Sequence, residues 1–127
     1  MKIKQIYDKK PGKKDGKGTM TLDNGSKYDG ALKGGKPHGH GTYIFKDGSI
    51  YVGDFIEGKQ SGHGIYTHPN GDKYAGDFLN DLKHGKGVYN FSGGAVYEGS
   101  YVCGQKSGKG IMTYPDGRIF SGNFSNG

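Results

Sequence analysis

Seven lysines fall within the first seventeen residues, Lys2, Lys4, Lys9, Lys10, Lys13, Lys14 and Lys17, and they form the densest run of one chemistry in the 127-residue chain. Residues 1–27 hold eight lysines against three aspartates, a net +5 of the formal +6 carried by the whole sequence. Such a cluster docks on anionic lipid, at about 1 kcal/mol per lysine near the surface, or on an acidic protein tail. It serves equally well as a solvated cap that keeps an end strand from pairing with another chain. Nucleic acid is disfavoured, because Arg118 is the single arginine and no basic stripe accompanies the aromatic residues.

Other residues invite a chemical reading that depends on spacing. Five histidines (His38, His40, His63, His68, His84), one cysteine (Cys103) and the glycine- and lysine-rich segment Gly12–Thr19 are the candidates. The segment resembles a phosphate loop but is one spacing short, with Gly18 where a magnesium-binding hydroxyl should stand. A single cysteine excludes an intrachain disulfide and a multi-cysteine metal site. No run approaches the roughly 18 apolar residues of a membrane span, so the expectation is a soluble, cytoplasmic chain.

Composition alone is misleading. Glycine accounts for 27 of 127 residues against a norm of roughly 7%, and Leu, Ile, Val and Phe make up 22. A chain so poor in aliphatics would be read as disordered, yet it holds ten Tyr and six Phe.

Spacing resolves the conflict. Tyr28, Tyr51, Tyr74, Tyr97 and Phe120 each follow the last by 23 residues. Counting every unit from that aromatic, position 3 is glycine throughout (Gly30, Gly53, Gly76, Gly99, Gly122), and position 5 is Leu32, Phe55, Phe78, Tyr101 and Phe124. Positions 12, 14 and 21 are glycine in every unit, and position 8 is glycine except at Asp81. The units are 28–50, 51–73, 74–96 and 97–119, preceded by a degenerate lysine-rich leading unit or cap (1–27) and followed by a half unit (120–127).

Glycine this frequent excludes helix, since each interior glycine costs about 1 kcal/mol relative to alanine. Strands remain, two per unit. Pro69-Asn70-Gly71 and Pro115-Asp116-Gly117 fit a three-residue hairpin loop, a type I turn ending in a left-handed glycine. That register sets position 16 opposite position 1 of the next unit, 14 opposite 3 and 12 opposite 5. If positions 7–10 form the other loop, the same pairs recur within each unit. The expected fold is all-β, an elongated, twisted, single-layer antiparallel meander of stacked hairpins. Its repeated aromatics share one face, with glycine columns leaving room for the rings.

The string Tyr51-Val52-Gly53-Asp54-Phe55, followed by Gly58, Gly62, Gly64 and Gly71, resembles the MORN (membrane occupation and recognition nexus) repeat over about residues 12–127. The resemblance implies a single-layer β-sheet, usually without catalytic residues or cofactor, used as a scaffold or docking module. Relatives occur in cytoskeletal and ciliary assemblies, in junctional membrane proteins and as accessory segments of lipid kinases and methyltransferases. Leu32 in place of Phe and Asp81 in place of Gly are departures from the pattern.

On this lattice the candidate site is the aromatic face: Tyr28, Tyr43, Tyr51, Phe55, Tyr66, Tyr74, Phe78, Tyr89, Tyr97 and Tyr101. Exposed apolar surface of this kind marks an interaction site, and a partner helix laid in an aromatic groove is the preferred geometry. The alternatives are a ring face closed by twist, and a peripheral membrane adaptor using the lysine-rich start. The edge after Phe124 is a second candidate interface, open to a second copy, another protein or a continuing chain. Asp54 and Asp77 are equivalent positions of adjacent units, a surface ladder and not an acid and base pair. His40 and His63 are likewise equivalent, about 10 Å apart across two strands, too far to share a zinc ion. Titration with zinc is therefore expected to leave both the thermal midpoint and the imidazole NMR signals unchanged.

Overall fold

The computed structural model describes residues 15–125. Ten strands follow one another: β1 (Gly16–Thr21), β2 (Lys27–Lys33), β3 (Lys36–Ile44), β4 (Ile50–Ile56), β5 (Lys59–Thr67), β6 (Lys73–Leu79), β7 (Leu82–Asn90), β8 (Val96–Val102), β9 (Gln105–Thr113) and β10 (Ile119–Phe124). Each pairs antiparallel with its sequence neighbours in one open sheet ordered β1 to β10, so the expected meander is what forms. The expected cap falls partly outside the described residues: of its lysine cluster only Lys17, on β1, is described.

Between units the chain turns as its sequence dictates. The Phe45 N–H donates to the Ser49 carbonyl (2.8 Å) and the Gly48 N–H to the Phe45 carbonyl (3.0 Å). That closes a three-residue loop with Gly48 left-handed at φ 95°. His68–Asp72, Phe91–Ala95 and Tyr114–Arg118 repeat the pattern. A side chain two residues before the loop closes fixes it further: Asp47 Oδ1 accepts the Ser49 N–H (2.8 Å), and Asn24, Asn70 and Asp116 do the same in their units. The consequent register matches expectation, with Tyr43 opposite Tyr51, Gly41 opposite Gly53 and Gly39 opposite Phe55.

Within a unit the chain departs from the four-residue loop. The turn has two residues, positions 7 and 8, both left-handed: Glu57 and Gly58 at φ 49° and 86°, Asn80 and Asp81 at 49° and 72°. Strands twist right-handed, and a two-residue turn with both residues left-handed matches that twist. Position 5 therefore pairs with position 10 and not 12, as in Phe55 opposite Gln60 and Phe78 opposite Lys83. The two surplus residues are absorbed as a bulge between Gly53 and Phe55 and at the equivalent place in the other units. Gly62, at φ 105°, sits in that bulge. Consecutive turns also stack: the N–H of Gly58, Asp81 and Gly104 donates to the carbonyl of Pro37, Gln60 and Lys83 in the unit before. Asp81, the one break in the position-8 glycines, repays its side chain by accepting the Gln60 N–H at Oδ1 (2.8 Å).

The core lies on one face of the sheet and is built from rings over backbone. A Cβ at Gly64 would collide with the Tyr51 ring, and one at Gly87 or Gly110 would collide with Tyr74 or Tyr97. Each of these tyrosines lies in a slot that two glycines leave, and its hydroxyl donates to the carbonyl of position 4: Tyr51 to Asp54 (2.8 Å), Tyr74 to Asp77 (2.9 Å), Tyr97 to Ser100 (3.1 Å). Position 4 is the residue that the bulge drops from the ladder on one side, which frees its carbonyl to accept. The rings are then closed in from both sides. Tyr51 meets Phe55 and Phe78 edge-on at 5.1 and 5.0 Å, and Tyr74 meets Phe78 and Tyr101 at 5.1 and 5.2 Å.

Two substitutions separate the slot from the hydroxyl. Gly64→Ala is expected to lower unfolding stability by about 2–3 kcal/mol, because the ring it displaces has nowhere to move. Tyr51→Phe should cost about 1 kcal/mol, the loss of one hydrogen bond. Urea denaturation of the two variants beside the wild type measures both.

Candidate functional site

The ten residues expected to form a binding face lie on one side of the sheet, and the structure divides them. Tyr28, Tyr43, Tyr51, Phe55, Tyr74, Phe78, Tyr97 and Tyr101 are buried at 6% exposure or less. They fill the slots and the spaces between slots. Tyr66 and Tyr89 stay partly exposed. They belong to an outer row in which ring follows ring, Tyr43, Phe45, Tyr66, His68, Tyr89 and Phe91, with centroids 4.6, 5.5, 4.7, 6.1 and 4.6 Å apart. Most of the ring face is thus closed over glycine, and this row beyond Tyr43 stays partly open for contact.

Burial governs the titration of the face. Desolvation pushes the Tyr28 and Tyr74 hydroxyls up to about 12, each with a smaller push from a neighbouring aspartate, Asp29 or Asp77. Tyr89 is also pushed up to about 12, by desolvation and by its hydrogen bond to Asp72 (2.8 Å). His68 is held below the usual imidazole range, first by burial and then by the nearby Lys83, against the opposite pull of Asp72 and Asp47.

Position 10 lies over the rings. Pro37 and Gln60 occupy it in the first two full units, and lysine in the next two. Lys83 Nζ stands 5.7, 5.8 and 5.9 Å from the centroids of Tyr74, Tyr89 and Tyr101, and Lys106 Nζ stands 5.4 Å from Tyr97.

The other face of the sheet, which the lattice of repeated residues does not mark, holds a groove of about 840 Å³. Its floor is the backbone of Gly76, Gly87, Gly99 and Gly110, whose missing side chains would all have pointed to the ring side. One wall is formed by Ala75, Val88, Glu98 and Ile111, part of a row at positions 2 and 15 that begins with Val52 and Ile65 outside the groove and in which each residue stands opposite the next. Val52, Ile65 and Ile111 are exposed. The second wall carries Asp77, Lys86 and Lys109. Alternation with the rings was the signal that could have found these residues: whatever flanks position 1 or 16 must face away from it.

The remaining candidates are scattered. His40 and His63 each face an aspartate of the next strand, His40 Nδ1 at 3.6 Å from Asp54 and His63 Nδ1 at 3.5 Å from Asp77, all well exposed. His38 Nδ1 accepts the Glu57 N–H of the next turn (3.1 Å). No three His, Cys, Asp or Glu side chains converge on a metal-sized site among the described residues. Cys103 is exposed in the two-residue turn after β8, at φ 50°. Of the lysine cluster, Lys17 is exposed on β1, while Lys2, Lys4, Lys9, Lys10, Lys13 and Lys14 lie outside the described residues. No helix among the described residues is long and apolar enough to cross a membrane.

Comparison with known families places these observations. The MORN repeat model matches five consecutive stretches, residues 12–27, 28–50, 51–73, 74–96 and 97–117. The chain belongs to the MORN-repeat family. The matched boundaries follow the tyrosine slots, each full MORN repeat starting at the ring that fills one. No curated protein matches the chain. Among solved structures, the MORN array is similar to the TCP domain of SAS-4 (dCPAP) in complex with a proline-rich motif of Ana2 (dSTIL) from Drosophila melanogaster. The identity is 13%, the coverage 94% of this chain and 90% of that one, and the TM-score 0.28.

The raised tyrosines set an alkaline limit. Their folded-state values lie above the ordinary 10, so the folded array holds more protons than the unfolded chain once pH passes 10. Their contribution is complete below that pH and is lost as pH climbs to about 12. Absorbance titration at alkaline pH is expected to show these phenols ionising late, with urea stability falling over the same interval.

Proposed function

We propose that the protein is a non-catalytic scaffold that docks a segment of a partner protein in the glycine-floored groove. The groove wall of half-buried Val88 and exposed Ile111, continued beyond the groove by exposed Val52 and Ile65 in the same cross-strand row, carries the reading. Apolar side chains aligned across neighbouring strands and left open to solvent form a patch of the kind that marks interaction sites. The facing wall, with Asp77 of one sign and Lys86 and Lys109 of the other, gives such a partner an orientation as well as an affinity. One MORN unit advances two strands, about 9.6 Å, close to the 10.5 Å of seven helical residues. A helix with an apolar residue every seventh position therefore keeps step with the array.

The outer row of rings, Tyr66 and Tyr89 with Phe45 and Phe91, supports a second contact strip on the opposite face. Membership of a cytoskeletal or ciliary assembly rests on the family resemblance alone. Anionic-lipid binding rests on the lysine run, and pairing with a second copy rests on the β10 edge.

A photo-crosslinking residue at Val88 or Ile111 is expected to capture a protein partner in the cell of origin, and the same residue at Lys46 to capture none. Against the purified partner, Ile111→Asp should weaken binding at least about tenfold with little change in thermal midpoint. Capture from Tyr66 and Tyr89 alone moves the docking site to the ring face. Sedimentation with phosphatidylserine vesicles, and no protein captured from either face, replaces the scaffold by the membrane adaptor.

A further inference from the structure

Lys83 sits in a recess of about 410 Å³ on the ring face, bounded by Tyr66, His68, Tyr74, Phe78 and Leu82. Its ammonium is unusual in its surroundings. Three rings lie under it and no carboxylate comes within ion-pair distance among the described residues. Two acids at or near the recess already accept hydrogen bonds. Asp81, on its rim, accepts the Gln60 N–H at Oδ1, and Asp72 accepts the Tyr89 hydroxyl at one oxygen and the Ser92 N–H (2.7 Å) at the other. Burial and the like charge of Lys106 both work against the ammonium, holding it below the usual lysine range. A partly desolvated cation compensated only by ring faces gains most from an anion that arrives already joined to apolar surface. His68, kept neutral, adds a hydrogen-bonding group without a competing charge.

We propose that this recess binds a carboxylate carried on an aromatic or branched aliphatic stem. The acid pairs with Lys83 Nζ, and the stem lies against Tyr66, Phe78 and Leu82. Two sources share this chemistry: a small free acid, and a glutamate or aspartate flanked by an apolar residue in a polypeptide. The site is on the face opposite the groove, so its fate and that of the docking reading are decided separately.

The full chain with 13C-labelled lysine is titrated with 3-phenylpropanoate and, in parallel, with 3-phenylpropanamide, following the Cε–Hε signal of Lys83. The acid is expected to shift that signal saturably in the millimolar range, and the amide to bind at least about tenfold more weakly, the loss of one charge-assisted hydrogen bond. Lys83→Met keeps the stem over the rings and removes the partly buried charge. It should match or exceed wild-type thermal stability while losing acid binding by about tenfold or more. Lys33→Met, an equal change of net charge on β2, should bind as wild type does. Equal binding of acid and amide, undiminished binding by Lys83→Met, or a Lys83 signal that never moves overturns the proposal. Competition by the capped dipeptide acetyl-Glu-Phe-amide at the same signal identifies a polypeptide source, and its absence alongside acid binding identifies a free acid.

Discussion

A sheet one layer thick has no second layer to bury its apolar face, and this one supplies the cover from within. Each slot tyrosine lies along the sheet over two glycines, where any Cβ would occupy the ring's own space. The hydroxyl closes the arrangement by donating to a carbonyl that the neighbouring bulge has withdrawn from the ladder. Ring, glycine pair and bulge are thus one device. Remove the glycine and the ring has no slot; pair the bulged residue and the hydroxyl has no acceptor. Edge-on contacts then link the devices in a line from Tyr28 through Phe55, Tyr51, Phe78, Tyr74, Tyr101 and Tyr97 to Phe124. A composition that looks unfoldable on average becomes foldable once its apolar residues are counted by position.

Much of this was legible before any coordinates. The 23-residue period, the glycine columns, the shared ring face and the three-residue loops all follow from residues that recur, and turn chemistry at Pro69-Asn70-Gly71 pinned the register between units. Inside a unit the sequence was ambiguous. Glycine at both position 8 and position 12 fits a wide loop as well as it fits a tight turn plus a bulge, and only strand twist chooses between them. Asp81 looked like a departure from the pattern, and its structural role appears only when its side chain is seen to accept the N–H of Gln60 in the unit before.

The binding surfaces were harder to read for a related reason. Repetition reports what the fold requires, and the slot rings that repetition singled out are consumed by the fold. Residues that distinguish one unit from another sit where the lattice is silent: Val52, Ala75 and Glu98 at position 2, or Pro37, Gln60, Lys83 and Lys106 at position 10. Of the ten rings assigned to a binding face, Tyr66 and Tyr89 keep surface to offer, and both lie in the outer row and not in the slots.

Gly76, Gly87, Gly99 and Gly110 are at once the floor of the groove and the roof above the slot tyrosines. Only the thickness of one peptide chain separates whatever rests on the one surface from the phenols on the other. At these four residues evolution has no independent dial for recognition and for folding: a change that reshapes the floor also disturbs the rings beneath it. Diversity among binding partners must therefore be written on the walls.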